Sequence, residues 1–299
     1  MAVPGTKTAE GWRGAGDPGG AQLRASTDGG AQRQDPDDRH GGTENLLGFS
    51  ISTEPLASLV ERSLTWVASA ERGRYFVCAN PHSLETARRD PHFARSIAEA
   101  DFVVPDGVGI VLASRLLGGS IRRRITGTDL FSAINFRLDA EGGRRCFFLG
   151  STPQNLESIR RRMAHEFPRI VVAGCHSPPF TAAFSEEQTS EMLAAVNAAS
   201  PDVLWVGMTA PKQESWVRAH RGDIDAKLIG PVGAVFDFFT GNVPRSSPWF
   251  RDHGLEWLPR LVRQPGRLWR RNLVSNPAFL LRVLRQRLAA GAPRGRRDR

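Results

Sequence analysis

Ala100-Asp101-Phe102-Val103-Val104-Pro105-Asp106-Gly107-Val108-Gly109 is the stretch whose reading decides the fold. Residues 102–104 are apolar at every position, the pattern of a short strand buried on both faces of a parallel sheet. Pro105 and Gly107 end the run. Between them stands a lone carboxylate, Asp106, held where the strand gives way to a turn.

Comparable runs recur on both sides of it, at 47–51, 75–78, 145–149, 170–173, 203–206 and 227–229. Helix-length amphipathic stretches fit between them at 83–89, 91–99, 109–117, 129–141, 153–166, 186–198 and 212–220, and Ser185 reads as an N-cap. Alternation of this kind predicts an α/β fold, a Rossmann-like, mostly parallel sheet flanked by helices. Residues 1–44 hold ten of the thirty glycines and hardly a branched aliphatic side chain, so composition predicts a disordered leader. The reading is then a leader over 1–44, an α/β domain over 45–253, and a basic, membrane-associating helical appendage over 254–299.

Charge divides unevenly along these parts. The leader carries five basic and seven acidic residues, residues 45–259 carry 23 of each, and residues 260–299 carry twelve Arg against Asp298 alone. An end-loaded cluster of this kind suggests an appendage that meets a polyanionic surface, whereas a nucleic-acid-binding domain would usually spread arginine over its body. The leader has no apolar core of an export signal, which predicts a cytoplasmic protein. Cys78, Cys146 and Cys175 lack CxxC spacing, and the seven histidines are scattered, so neither a disulfide framework nor a metal site is expected. No phosphate-loop or nucleophile-elbow motif is present, and no cofactor is expected.

Ligands of open parallel sheets bind beyond the carboxyl ends of the strands. Four such ends carry turn residues with polar side chains: Ala79-Asn80-Pro81, the Asp106 turn, Gly207 to Glu214, and Gly230-Pro231-Val232-Gly233-Ala234. Asp106 can serve as a general base toward an alcohol, its proton affinity raised by Val104 and Val108, or it can cap the helix starting near Gly109. Asn80 can read sugar hydroxyls or a uracil edge, or form an Asx turn before Pro81. In Arg122-Arg123-Arg124 one guanidinium can grip a diphosphate while the others stay solvated, and Thr128 or Asp129 can bind substrate or cap the next helix. Pro211-Lys212-Gln213-Glu214 opens a helix toward any anion at the sheet edge, with a plain first turn of exposed Lys and Glu as its rival. Gly233 allows close backbone approach to a nucleotide, without a dinucleotide fingerprint.

Beyond residue 259, Arg260, Arg267 and Arg270 would share a face of a helical segment, although Pro265 can bend it. Residues 277–290 alternate Leu280, Leu281, Val283, Leu284 and Leu288 with Arg282, Arg285 and Arg287. Such a helix either lies in the interface of an anionic leaflet or packs on the body with its arginines in water. No stretch approaches a transmembrane length.

Taken in order, the stretch 100–109, Arg124-Ile125-Thr126-Gly127-Thr128-Asp129-Leu130, Phe147-Phe148-Leu149-Gly150, Pro211-Lys212-Gln213-Glu214 and Leu255-Glu256-Trp257 with its trailing arginines resemble the WecG/TagA/CpsF glycosyltransferase family, glycosyltransferase family 26, over about residues 45–273. The resemblance implies an inverting, metal-independent transfer from a UDP-sugar to a polyprenyl-diphosphate-linked saccharide in cell-surface polysaccharide or teichoic acid synthesis. The donor sugar would be of the N-acetylmannosamine type or another hexose. It implies Asp106 as base, a pocket containing Cys78, Asn80, Arg124, Thr128, Asp129, Gln213 and Gly233, and Arg260, Arg267 and Arg270 as contacts to the leaving diphosphate or the membrane. It also places the protein peripherally on the inner face of the cell membrane. Cys78 stands where the family often has Thr, and a thiol is the poorer hydrogen-bond partner. The sequence is compatible with a homo-oligomer as well as a monomer. Two rival readings are a nucleic-acid binder using the arginine-rich tail and a nucleotide-dependent oxidoreductase, which would lack its glycine fingerprint.

Overall fold

A computed structural model describes residues 42–243 and 274–291; Arg260, Arg267 and Arg270 lie outside the described residues. The chain opens with a hairpin, β1 (Thr43–Leu46) and β2 (Phe49–Ser52). A single strand over 47–51 is therefore corrected: the chain reverses at Leu47 and Gly48, both at positive φ, and the Asn45 carboxamide oxygen accepts from the Gly48 N–H at 3.0 Å. Thr43 and Glu44, assigned to the leader by composition, belong to β1.

Next comes α1 (Leu56–Ala68), a helix absent from the sequence reading. It buries Leu59, Val60, Ser63, Leu64 and Val67 on one face, at helical spacing. Then follow β3 (Arg74–Ala79), α2 (Pro81–Ala87), α3 (Pro91–Ala98), β4 (Phe102–Pro105), α4 (Val108–Leu117), α5 (Gly127–Glu141), β5 (Arg145–Gly150), α6 (Pro153–Glu166), β6 (Val171–His176), α7 (Glu186–Ala199), β7 (Val203–Gly207), α8 (Lys212–His220), β8 (Leu228–Pro231) and α9 (Val235–Thr240). The last described helix is α10 (Asn276–Gly291).

β3 to β8 form one parallel sheet in the order β4-β3-β8-β7-β5-β6. Its central strands are apolar at almost every position because both faces are covered. One face carries α2, α3, α4, α7, α8 and α10 over a core that includes Tyr75, Val77, Leu149 and Val206. The other carries α1, α5, α6 and α9 over Phe76, Val104, Phe148 and Trp205.

The two aspartates of the opening stretch divide their work. Asp101, before β4, accepts from the Tyr75 N–H at 2.9 Å, from Arg74 Nη1 at 2.6 Å and from Arg221 Nη2 at 3.1 Å, which fixes the start of the strand. Asp106, after β4, donates its backbone N–H to the Ala79 carbonyl at 2.8 Å. The β3 and β4 ends are thereby held level.

α10 packs on α2 and α4. Phe279 and Val283 are fully buried in the core, Arg282 pairs with the buried Glu85 of α2 at 2.9 Å, and the Leu47 N–H donates to Gln286 Oε1 at 3.0 Å. Of the two sequence readings for 277–290, packing on the body is what this face shows; Leu281, Leu284 and Leu288 point outward. Phe279→Ala should cost about 3 kcal/mol and lower the melting temperature by several degrees. An unchanged thermal unfolding curve would show that α10 is not part of the cooperative unit.

Candidate active site

The connection after β3 runs through α2 onto one face of the sheet, and the connection after the neighbouring β8 runs through α9 onto the other. Chains that part in this way leave a crevice at the carboxyl edge. Here it is a cleft of about 1140 Å³.

Asp106 lines this cleft and is half-buried, neither sealed in the core nor on the outer surface. It is not the cap of α4: that position is Gly107, at φ 95°, with no side-chain cap bond. Gly109 lets α4 approach α2, since a Cβ there would meet Pro81 Cγ at 2.5 Å. Asn80 also lines the cleft, and in place of a simple Asx turn before Pro81 it caps α2. Its Oδ1 accepts from the Ser83 N–H at 3.1 Å while Ser83 Oγ accepts from the Asn80 N–H at 2.7 Å.

Arg124 reaches the cleft because the Ile125 N–H donates to the Pro105 carbonyl at 3.0 Å, pinning its segment to the end of β4. Arg122 and Arg123 are exposed, as expected of the solvated pair. The cap of α5 is Thr126, not Thr128 or Asp129. Asp129 closes the capping box by accepting from the Thr126 N–H at 2.9 Å, and it is not among the residues lining the cleft. A carboxylate at the third helical position faces back to the cap, and the charge of Asp129 also bears on the Cys78 thiol at the cleft wall. Thr128 does line the cleft.

Gln213 is nearly fully buried at the cleft wall. Its Oε1 accepts from the Met208 N–H at 3.2 Å and its Nε2 donates to Glu214 Oε1 at 2.8 Å. Gly233, at φ 57°, sits against it: an added Cβ would lie 3.2 Å from the Met208 carbonyl oxygen and 3.4 Å from Gln213 Nε2. Cys78 lines the same wall. Burial, followed by the negative charges of Asp106, Glu214 and Asp129, pushes its thiol well above the usual value, so it remains protonated and is no nucleophile.

The exposed-glutamate reading of the Pro211-Lys212-Gln213-Glu214 turn fails at Glu214, which is only 4% exposed. Burial raises its carboxyl from 4.5 to about 7, opposed by the hydrogen bond from Gln213. Lys212 is half-buried, its ammonium pulled below the usual value by burial, and donates to the Thr181 carbonyl at 2.7 Å.

Two strand ends contribute more than the sequence announces. After β5, Gly150, Ser151 and Thr152 line the cleft, and after β6, Ser177 to Phe180 do so, joined by the Ser177 Oγ donation to the Ser151 carbonyl at 2.7 Å. Bonded to them, Asn155 Nδ2 donates to Ser151 Oγ at 2.8 Å and to Asp237 Oδ1 at 3.0 Å, and Asn242 Nδ2 donates to Asn155 Oδ1 at 2.7 Å. Asp237 and Asn242 line the cleft; only their clustering in space marks them. Among the described residues no group of three or more His, Cys, Asp or Glu is placed to hold a metal ion.

An open parallel sheet whose strand ends gather a carboxylate, an arginine, amides and close-approach glycines around one cleft is the arrangement of a ligand-binding α/β protein. The chain belongs to the Glycosyl transferase WecG/TagA/CpsF family, which it matches over residues 44–293, and is a glycosyltransferase. It is similar to the N-acetylglucosaminyldiphosphoundecaprenol N-acetyl-beta-D-mannosaminyltransferase of Bacillus spizizenii, at 31% identity over 83% of this chain and 93% of that protein. Enzymes of the same name from Bacillus subtilis and Staphylococcus aureus are each 26% identical, over 82% and 80% of this chain and 92% and 91% of theirs.

Glu214 yields a pH prediction with a definite sign. A carboxyl raised in the folded state favours folding fully below its unfolded value near 4.5, and that contribution is lost as pH rises through about 7. The Cys78 thiol feels the charge of Glu214 and stays protonated over this range, so Glu214→Gln changes the ionisation of Glu214 itself. The variant should gain up to about 3 kcal/mol on wild type between pH 5 and pH 8. Melting curves that stay parallel over that range would contradict the assignment.

Proposed function

We propose that this protein transfers a hexosamine of the N-acetylmannosamine type, or another hexose, from a UDP-sugar to a saccharide carried on a polyprenyl diphosphate, with inversion. Support comes from the printed activity of its relatives and, above all, from one convergence. Asp106 lines the cleft that is also lined by Val243 and Asn276, the residues flanking the basic stretch 244–273. His82, another cleft residue, pairs through Nδ1 with Ser275 Oγ at 2.9 Å. Arg267 and Arg270 stand nine and six positions before Asn276, so chain length confines them to within about 31 and 21 Å of it. Arg260 is tethered in the same loop.

In the reaction the Asp106 carboxylate takes the proton of an acceptor hydroxyl. That oxygen forms a bond to the anomeric carbon of the donor as the bond to the diphosphate oxygen breaks on the opposite face. UDP leaves with the electron pair, and the proton stays on Asp106 until solvent removes it. Arg124 and the tail arginines supply the positive charge that the departing diphosphate needs. Asn80, Gln213, Thr128 and the Gly233 backbone shape the pocket for the sugar and nucleotide, and the Cys78 thiol offers a weak donor beside them.

No helix among the described residues is long and apolar enough to cross a membrane. We place the protein peripherally at the inner leaflet, through the outward row Leu281, Leu284 and Leu288 with the exposed Arg285 beside it.

Asp106→Asn should lower turnover by at least about 1000-fold in an assay of UDP release from UDP-sugars with a short prenyl-diphospho-sugar, with the melting temperature unchanged. Near-normal turnover would remove Asp106 from the mechanism. Replacing Leu281, Leu284 and Leu288 by Ser should abolish co-sedimentation with anionic vesicles; retained binding would move the membrane contact elsewhere.

A further inference from the structure

α4 and α10 lie side by side and run the same way. Val108 and Gly109 at the start of α4 and Asn276 at the start of α10 line the cleft, while Arg287, far along α10, donates to the Leu116 carbonyl near the end of α4. Their outward sides present Leu112 from one helix and Leu281, Leu284 and Leu288 from the other, all exposed. Charge on this face is of one sign: residues 107–128 and 276–291 hold seven arginines and neither Asp nor Glu. Elsewhere on the body arginines sit against acids, among them Arg62 with Glu54, Arg144 with Glu141 and Arg221 with Asp101. Here Arg115, Arg123 and Arg285 are exposed and have no acidic partner among the described residues.

We propose that the leaflet is met by a two-helix face rather than by α10 alone: Leu112 of α4 enters the interface, and Arg115 and Arg123 hold anionic lipid head groups. The inference rests on the peripheral membrane reading above and adds a second element to it. Guanidinium groups without counter-charge beside a row of leucines are matched by an anionic bilayer, whose head groups supply negative charge while its interface takes up the aliphatic side chains. A nucleic acid complements the arginines through its phosphates but offers nothing to the leucines. The arrangement also relates the leaflet to the site. Both helices start at the cleft, so the cleft opens at the border of the bound face. Arg123 and Arg124 are consecutive there, the first exposed toward the head groups and the second lining the cleft.

Co-sedimentation of the full chain with vesicles of phosphatidylglycerol and phosphatidylcholine, and with phosphatidylcholine alone, tests this without turnover. The variant carries Arg115→Gln and Arg123→Gln together, both at exposed positions, and a melting curve checks that it folds. Its partition onto the anionic vesicles should fall about thirtyfold below that of wild type, with little change on the neutral ones. Leu112→Ser should weaken binding to the anionic vesicles as well. Partition equal to wild type in the double variant overturns the proposal. If the α10 leucine variant loses binding while both α4 variants keep it, the membrane reading stands and the second element is refuted. Wild type that ignores anionic vesicles sinks the membrane reading itself. Binding to duplex DNA that is tighter than binding to vesicles, and that the double variant loses, gives the face to nucleic acid and overturns the proposal.

Discussion

The backbone bond from Asp106 to the Ala79 carbonyl, 2.8 Å long, is the constraint on which the site depends. It is the last rung of the β3–β4 ladder, and it brings Asp106 beside Asn80 at one height on the sheet edge. Arg124 is pinned to the same strand end through Ile125, one residue further along the same logic. Carboxylate, amide and guanidinium therefore share a rigid platform of parallel strands, the kind of support that keeps the geometry of a site within tolerance. Asp101 at the other end of β4 fixes the register that makes this work.

Legibility followed the physics of each element. Buried parallel strands announce themselves by unbroken apolar runs, and five of the expected six inner strands needed only one or two residues of adjustment at an end; β6 instead begins at Val171 and runs on to His176, three residues past its expected end. The N-terminal strand misled because a hairpin turn at Leu47-Gly48 places a leucine, not a usual turn residue, at positive φ. α1 was invisible because a serine, Ser63, breaks its apolar face and Pro55 at its start makes no side-chain cap bond. In the site, charged residues next to glycines could be read from the sequence. Ser151, Asn155, Asp237 and Asn242 could not, since their meaning comes from meeting across elements that are far apart in the chain.

The helix caps show how one residue serves two readings. Asn80 gives its carboxamide oxygen to the Ser83 N–H as the cap of α2 and still lines the cleft, so a structural role and a place at the cleft do not exclude each other. Asp129 closes the cap of the next helix by accepting from the Thr126 N–H, beside the cleft-lining Cys78. Glu214 is different again: its burial under Gln213 holds that carboxamide in one orientation, since one glutamine oxygen is committed to the Met208 N–H and its nitrogen to Glu214. A carboxylic acid of this kind shapes the pocket through its neighbour.

The anchoring of Val243 and Asn276 at one cleft makes the arginine-bearing stretch between them a closed loop, whatever shape it takes. Closing such a loop costs entropy that grows only slowly with its length. In return, groups on a chain tethered at both ends meet a bound partner at an effective concentration on the order of millimolar, independent of how much protein is in solution. A diphosphate entering the cleft would thus meet its counter-charges as an intramolecular event. That independence of bulk concentration is the property such a tether confers.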